Sequence, residues 1–197
     1  MADAGHHVKF LSLTNGNAGH HEQSGGVLAK RRRAEALEAS ERLGIMEYTV
    51  LDYYDAELEP KLHIRKEVIR QIRQWNADVV LVHRPNDYHP DHRYAGILVM
   101  DAAYMVIVPN IVTDSPELDR NPVFLYLQDR FLRPYPFQHD LVVGINEHYM
   151  SQKLDALDAY ESQVYEWFPW TAGRIDEVPG LDVLIIWIIC MALLSAF

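Results

Sequence analysis

Cysteine is nearly absent. Cys190 stands alone among 197 residues, which excludes an intramolecular disulfide and a cysteine-built zinc site, and makes a reducing, cytoplasmic compartment the expectation. A positive surplus is missing as well. Lys and Arg number 18 against 28 Asp and Glu, a formal net charge of -10, which is the wrong sign for a protein that displaces counterions from nucleic acid. The one dense basic run, Arg31, Arg32 and Arg33, is followed on the same stretch by Glu35, Glu38 and Glu41 and reads mainly as a solvated helix face. Met1 to Val8 has no basic segment leading into an apolar one, so no signal peptide is expected. Internal repeats and low-complexity linkers are also lacking. The only long hydrophobic run, Val183 to Phe197, is shorter than the ~20 residues that span a bilayer, and no basic anchor follows it. It reads as a buried terminal element, as a departure from the proper reading frame near Pro179-Gly180, or, with least weight, as a short tail anchor. A membrane role is not expected.

What remains is the composition of a folded domain: 49% hydrophobic and 23% charged residues, in a length that suits one domain with a sizeable core. Val8 to Leu13 reads as a strand closed by Asn15-Gly16, and the Gly- and His-containing loop to Gly26 leads to a helix from Val27 to Leu43 with Gly44 as its stop. A strand from Met46 to Leu51 and a helix from Leu62 to Trp75 follow, the latter with Ile64, Val68, Ile69 and Ile72 at helical spacing. Val79 to Val82 is a continuous apolar run, expected to be a strand buried on both faces. A helix from Pro90 to about Tyr104, strands at Val123 to Leu127 and Leu141 to Ile145, and a helix from Met150 to Tyr160 with Leu154 and Leu157 inward complete the pattern. This alternation predicts an α/β fold: a Rossmann-like, mostly parallel sheet with helices on both faces. In such sheets ligands bind beyond the carboxyl ends of the strands, where Asn15 to His21 and Arg84 to His92 fall.

The chemistry concentrates in His89-Pro90-Asp91-His92. Two imidazoles and a carboxylate within four residues, directly after an apolar strand, supply the nitrogen and oxygen donors that zinc takes. Pro90 fits the first turn of a helix, and the positive end of that helix disfavours imidazolium, so a histidine there tends to keep its lone pair. A histidine-rich loop before a proline-started helix is the plain alternative.

The chain resembles the PIG-L/LmbE-like family of zinc-dependent N-deacetylases from about Val8 to Trp170. The resemblance rests on Leu13-Thr14-Asn15-Gly16-Asn17-Ala18-Gly19, on Arg32 and Glu35 in the helix ending Leu43-Gly44, and on Asp52 to Leu58. It continues through Pro85 to Gly96 and through Lys153 to Gln163, with Ala159-Tyr160-Glu161-Ser162-Gln163 at its end. It implies that His92 is a zinc ligand, that His89 faces the developing oxyanion, and that Asp91 orients an imidazole. Arg32 and Asp55 would contact a sugar, although Ala56 stands where the family usually has glycine; Tyr88, read from its own place next to His89, could hydrogen-bond substrate near the metal. The implied reaction is hydrolysis of an acetamide, commonly on an N-acetylglucosamine unit, with an acetamido sugar conjugate as the partner; homo-oligomerisation stays open.

One departure weighs against full activity. The family opens with a strand ending in an Ala-His-Pro-Asp-Asp type motif that supplies two zinc ligands and the general base, and nothing here corresponds to it. Met1 to Val8 instead resembles the end of the helix that follows that motif. The expected fold therefore lacks the family's first, central strand, with residues 1–179 an incomplete deacetylase domain and 180–197 an apolar tail. Zinc is expected to bind weakly or not at all, and the alternative function is a non-catalytic sugar- or partner-binding remnant. Other residues carry plainer readings. His20 and His21 could substitute as ligands but read mainly as a solvated loop, and His6 and His7 as a frayed terminus. Tyr88 could equally pack over Pro85. Trp167, Phe168, Pro169 and Trp170 suit packing better than a sugar wall, and Tyr104 to Val108 suits the core.

Overall fold

The computed structural model describes residues 1–177; Val183 to Phe197, with Cys190, lies outside them. In chain order the main elements are β1 (Lys9–Thr14), α1 (Gly25–Arg42), β2 (Glu47–Tyr53), α2 (Leu62–Trp75), β3 (Val79–Val82), α3 (Pro90–Ala103), β4 (Val123–Tyr126) and α4 (Glu147–Asp158). The described residues divide into two compact units, 1–56 with 140–177, and 57–139. Each carries one two-stranded sheet, β1 with β2 and β3 with β4, and both pairings are parallel. The parallel α/β reading holds. It is realised among the described residues as two separate strand pairs.

In the first unit, Lys9 opposes Glu47 at the start of the ladder, and their side chains form an ion pair of 2.6 Å. The stop of α1 follows from Gly44, whose φ of 66° suits a residue without Cβ. The Gly44 N–H donates to the Glu41 carbonyl and the Ile45 N–H to that of Ser40, the paired bonds of a Schellman motif. Helices α1 and α4 meet through Ala39, Ala156 and Ala159, flanked by Leu43 and Tyr160. Small side chains let the two backbones come close. Leu154 and Leu157, expected inward, are only half-buried, because the inner stripe of α4 is centred on the alanines.

In the second unit, α2 buries Ile64, Val68, Ile69 and Ile72 as its spacing predicted, each worth about 1.5–3 kcal/mol of transfer free energy. Arg73 continues that stripe and is buried too. Its guanidinium donates six hydrogen bonds, to the carbonyls of Met105, Val106, Val108, Ile111, Val112 and Ser115. One side chain thus replaces water for an entire irregular segment. Val106 is fully buried as expected, but Tyr104 is exposed.

Two strand expectations fail in instructive ways. Val79 to Val82 is a strand, yet Val79 and Leu81 are 44% and 47% exposed; an apolar run reports affinity for burial, and among the described residues nothing covers that face. Leu141 to Ile145 forms no strand, and Leu141, Val142, Val143 and Ile145 are exposed. Strand geometry needs a partner ladder to satisfy its backbone groups, and the described residues supply none there.

Candidate functional site

The second unit builds its site where β3 runs out. His83 follows Val82 directly, and α3 begins after a short loop with His89 as its N-cap and Pro90 in the first turn. Gly96 lets α3 approach this loop: a Cβ there would stand 2.6 Å from the His83 carbonyl oxygen. Three imidazoles then gather. The rings of His83 and His92 stack with centroids 4.8 Å apart, and those of His89 and His92 lie 4.9 Å apart. Burial, and secondarily the neighbouring His92, pushes the His83 imidazole below the usual histidine range.

Asp87 is the organising carboxylate. It is 6% exposed, and its Oδ1 accepts the His89 main-chain N–H at 2.8 Å while lying 3.2 Å from His92 Nδ1. Asp91 meets His89 through its backbone. Its main-chain N–H donates to His89 Nδ1 at 3.3 Å, while its carboxylate is 3.9 Å from that nitrogen. Arg93 closes the loop by donating to the carbonyls of Asp87 and Tyr88. Tyr88 is exposed and sets its ring edge-on to His89 and His92 and against Phe131.

Phe131 belongs to a strap held by Arg84. The buried Arg84 guanidinium pairs with Asp129, through Nε at 2.6 Å and through a second nitrogen, and donates to the carbonyls of Phe131 and Tyr135. Asn86 adds a bond to the Arg133 carbonyl. Burial pushes the Asp129 carboxyl up, but hydrogen bonds from Arg84 and from the Phe131 N–H outweigh it and leave it below the usual range.

The first unit organises the loop after β1 around another aspartate. Asp55 accepts the main-chain N–H groups of Gly16 and Ala18, and Arg32 lies 3.7 Å from it. Arg32 also donates to the Gly19 carbonyl and to Gln163, so the two residues expected to meet a sugar brace this loop. Burial lowers the Arg32 pKa against the pull of Asp55. Next to Arg32, Glu35 accepts both the N–H and the hydroxyl of Ser162. That accounts for the Ser162-Gln163 motif as a clasp onto α1.

The basic run is not simply a solvated face. Arg33 is exposed, but Arg31 and Arg32 are half-buried, and Arg31 pairs with Glu166 at 2.5 Å. Nor is the His20-His21 loop solvated: the His20 side chain is 1% exposed. Its Nδ1 accepts the N–H groups of Glu22 and Gln23, which places the ring proton on Nε2, 2.6 Å from Glu166. With both nitrogens engaged, His20 has no lone pair left for a metal. His21 stacks between His20 and Trp170, and Trp170, itself 47% exposed, continues onto Trp167.

An imidazole in the position of His92 has the chemistry of a zinc ligand, but one ligand does not make a centre. Among the described residues no group of three His, Cys, Asp or Glu side chains is arranged to hold a metal ion. Sequence reasoning passed over Asp87, His83 and Glu166; for Asp87 the available signal was its spacing two residues before His89, which suits an aspartate that accepts the N–H two residues on.

A parallel α/β protein with a His-x-x-His helix start beyond a strand end is thereby defined. A family model described as GlcNAc-PI de-N-acetylase (PIG-L) matches residues 1–103, more than half of the chain, and the chain belongs to that family. It is 32% identical over 181 residues to diacetylchitobiose deacetylase of Thermococcus kodakarensis, covering 86% of this chain and 65% of that protein. N,N'-diacetylchitobiose deacetylase from Pyrococcus horikoshii, solved with its inhibitor MPG, superposes with a TM-score of 0.72 at 26% identity, over 82% of this chain and 61% of that one. The chain thus spans less than two thirds of the length of either deacetylase. The 4-carboxy-2-hydroxymuconate hydratase from Pseudomonas putida superposes with a TM-score of 0.71 at 19% identity, over 100% of this chain and 81% of that one. That last likeness concerns the fold alone, which hosts more than one chemistry.

Proposed function

We propose that this chain carries the histidine half of a zinc-dependent hydrolase that removes acetyl from an N-acetylglucosamine-type amino-sugar conjugate. The observation behind the reading is the pair His89 and His92, ring to ring at the start of α3, inside the segment that matches the family. Bound zinc would supply a polarised amide carbonyl and a water acidic enough to attack it. His92 is one zinc ligand, and His89 is the donor that meets the oxygen as negative charge develops on it. Asp91 orients His89 through its main-chain N–H. Tyr88, Arg32 and Asp55 are the candidates for sugar contact, the last two in addition to their bracing roles. Residues 1–179 form the deacetylase domain, and a cytoplasmic setting goes with the same reading.

The ligand set counted among the described residues favours a second reading for the chain by itself, a sugar- or partner-binding module without turnover. Metal content and acetate release separate the two. The purified chain is expected to retain well under one equivalent of zinc after dialysis. Extended at its N-terminus by a strand ending in His-Pro-Asp-Asp, it is expected to hold zinc and release acetate from N,N'-diacetylchitobiose. An extended protein that folds and binds zinc yet hydrolyses no acetamide overturns the deacetylase reading in favour of the binding module.

A further inference from the structure

We propose that Asp87 is the positioning residue of the histidine pair. It holds His92 with its proton on Nδ1, beside a His89 held with its proton on Nε2, so one ring offers a lone pair where the other offers an N–H. This assignment rests on the functional reading above only for its consequence, not for its geometry.

Three contacts carry it. His89 Nδ1 accepts the Asp91 main-chain N–H at 3.3 Å. An amide nitrogen is only a donor, so His89 Nδ1 must keep its lone pair, and a neutral ring then carries its proton on Nε2. The opposite holds for His92. Its Nδ1 is buried with no aligned hydrogen bond, and Asp87 Oδ1 lies 3.2 Å away. A carboxylate oxygen is only an acceptor. A lone pair on that nitrogen would face another lone pair, whereas an N–H there is attracted, so the proton belongs on Nδ1 and the lone pair on Nε2. The third contact fixes Asp87 itself: the same Oδ1 accepts the His89 main-chain N–H at 2.8 Å, which ties the carboxylate to the turn that starts α3. One buried oxygen therefore sets both the path of the chain at His89 and the proton on His92.

Two rings 4.9 Å apart with opposite tautomers present a donor and an acceptor to one small ligand. That is the division of labour an acetamide and a Lewis acid need: the N–H for the amide oxygen and the lone pair for the cation. Neither imidazole could serve in the other's place without exchanging its neighbour.

Long-range proton–nitrogen correlation NMR of the full chain without metal, at alkaline pH where imidazoles are neutral, reads each ring directly. Wild type is expected to show His92 protonated on Nδ1 and His89 on Nε2. Asp87→Asn keeps an oxygen acceptor and is expected to keep both patterns. Asp87→Ala is expected to shift His92 to the Nε2 form and leave His89 unchanged, and to weaken zinc binding by the extended protein about 10–100-fold, the usual cost of losing a partner behind a metal ligand. His92 protonated on Nε2 in wild type, or indifferent to Asp87→Ala, overturns the assignment. Tautomers as assigned in a protein whose extended form takes up no zinc would count against the deacetylase reading and leave the role of Asp87 standing.

Discussion

Two aspartates, the half-buried Asp55 in the first unit and the buried Asp87 in the second, solve the same problem with different partners. Each sits in a loop region close to the carboxyl end of a strand and accepts main-chain N–H groups. Asp55 takes two, from Gly16 and Ala18, and faces the Arg32 guanidinium. Asp87 takes one, from His89, and faces an imidazole. A guanidinium keeps its charge at any ordinary pH and has a rigid set of donors, so the Asp55 loop is a fixed scaffold. An imidazole can hold its proton on either nitrogen, so the same carboxylate device at Asp87 selects a chemical state. The bracing geometry is shared, and the partner decides whether it is structural or functional.

Removing the two carboxylates sharpens the contrast most. Asp55→Ala orphans two N–H groups and a partly buried guanidinium, and is expected to cost about 3 kcal/mol, at about 1–3 kcal/mol for each unsatisfied buried group. Asp87→Ala orphans one N–H and is expected to cost about 1 kcal/mol on the same scale. Urea unfolding midpoints at constant slope measure both; equal costs would break the distinction between scaffold and selector. Gly96→Ala comes next, at about 2 kcal/mol for overpacking, since its Cβ meets the His83 carbonyl. Movement of α3 away from the loop should also disturb the His92 ring signals before those of the Asp55 loop.

Acidity tests the first unit separately. The Arg31 hydrogen bond, with His20 adding to it, overcomes burial and holds the Glu166 carboxyl down at about 2 from an ordinary 4.5. A depressed carboxylate stabilises the fold fully above its ordinary value and loses that contribution as pH falls through the folded one. Stability should therefore decline from about pH 4.5 toward 2 and this part of the decline should vanish in Glu166→Gln. Because Glu166 is a third exposed, the difference at neutral pH is expected to be about 1 kcal/mol or less. The smallest effect belongs to Val142→Thr. That residue is exposed outside any strand, and a change within ±0.5 kcal/mol is expected; a large loss would mean that Leu141 to Ile145 is covered after all.

Helical periodicity was legible because it is local. The spacing of Ile64, Val68, Ile69 and Ile72 predicts α2 to the residue, and Gly44 and Pro90 mark a stop and a start for reasons of backbone geometry alone. Strand pairing is not local. The runs Val79 to Val82 and Leu141 to Ile145 look alike as sequence, and among the described residues only the first finds a partner, Val123 to Tyr126, to bond with. Likewise His89 and His92 were visible because their spacing is short and their chemistry rare. The burial of His20 depends on Glu166, 146 residues further on, a distance no motif spans. Asp87 lay in plain view within the motif, but aspartates in loops are common, and its role follows only from where one oxygen ends up.

The division of labour between the two histidines is most directly tested in the extended protein by measuring zinc content and acetate release side by side. His92→Ala is expected to lose both, because the ligand is gone. His89→Ala is expected to keep its zinc and lose turnover, because a donor to the developing oxyanion matters chiefly in the transition state. Both variants keeping zinc, or both losing it, would contradict the assignment of a ligand and a donor to this pair.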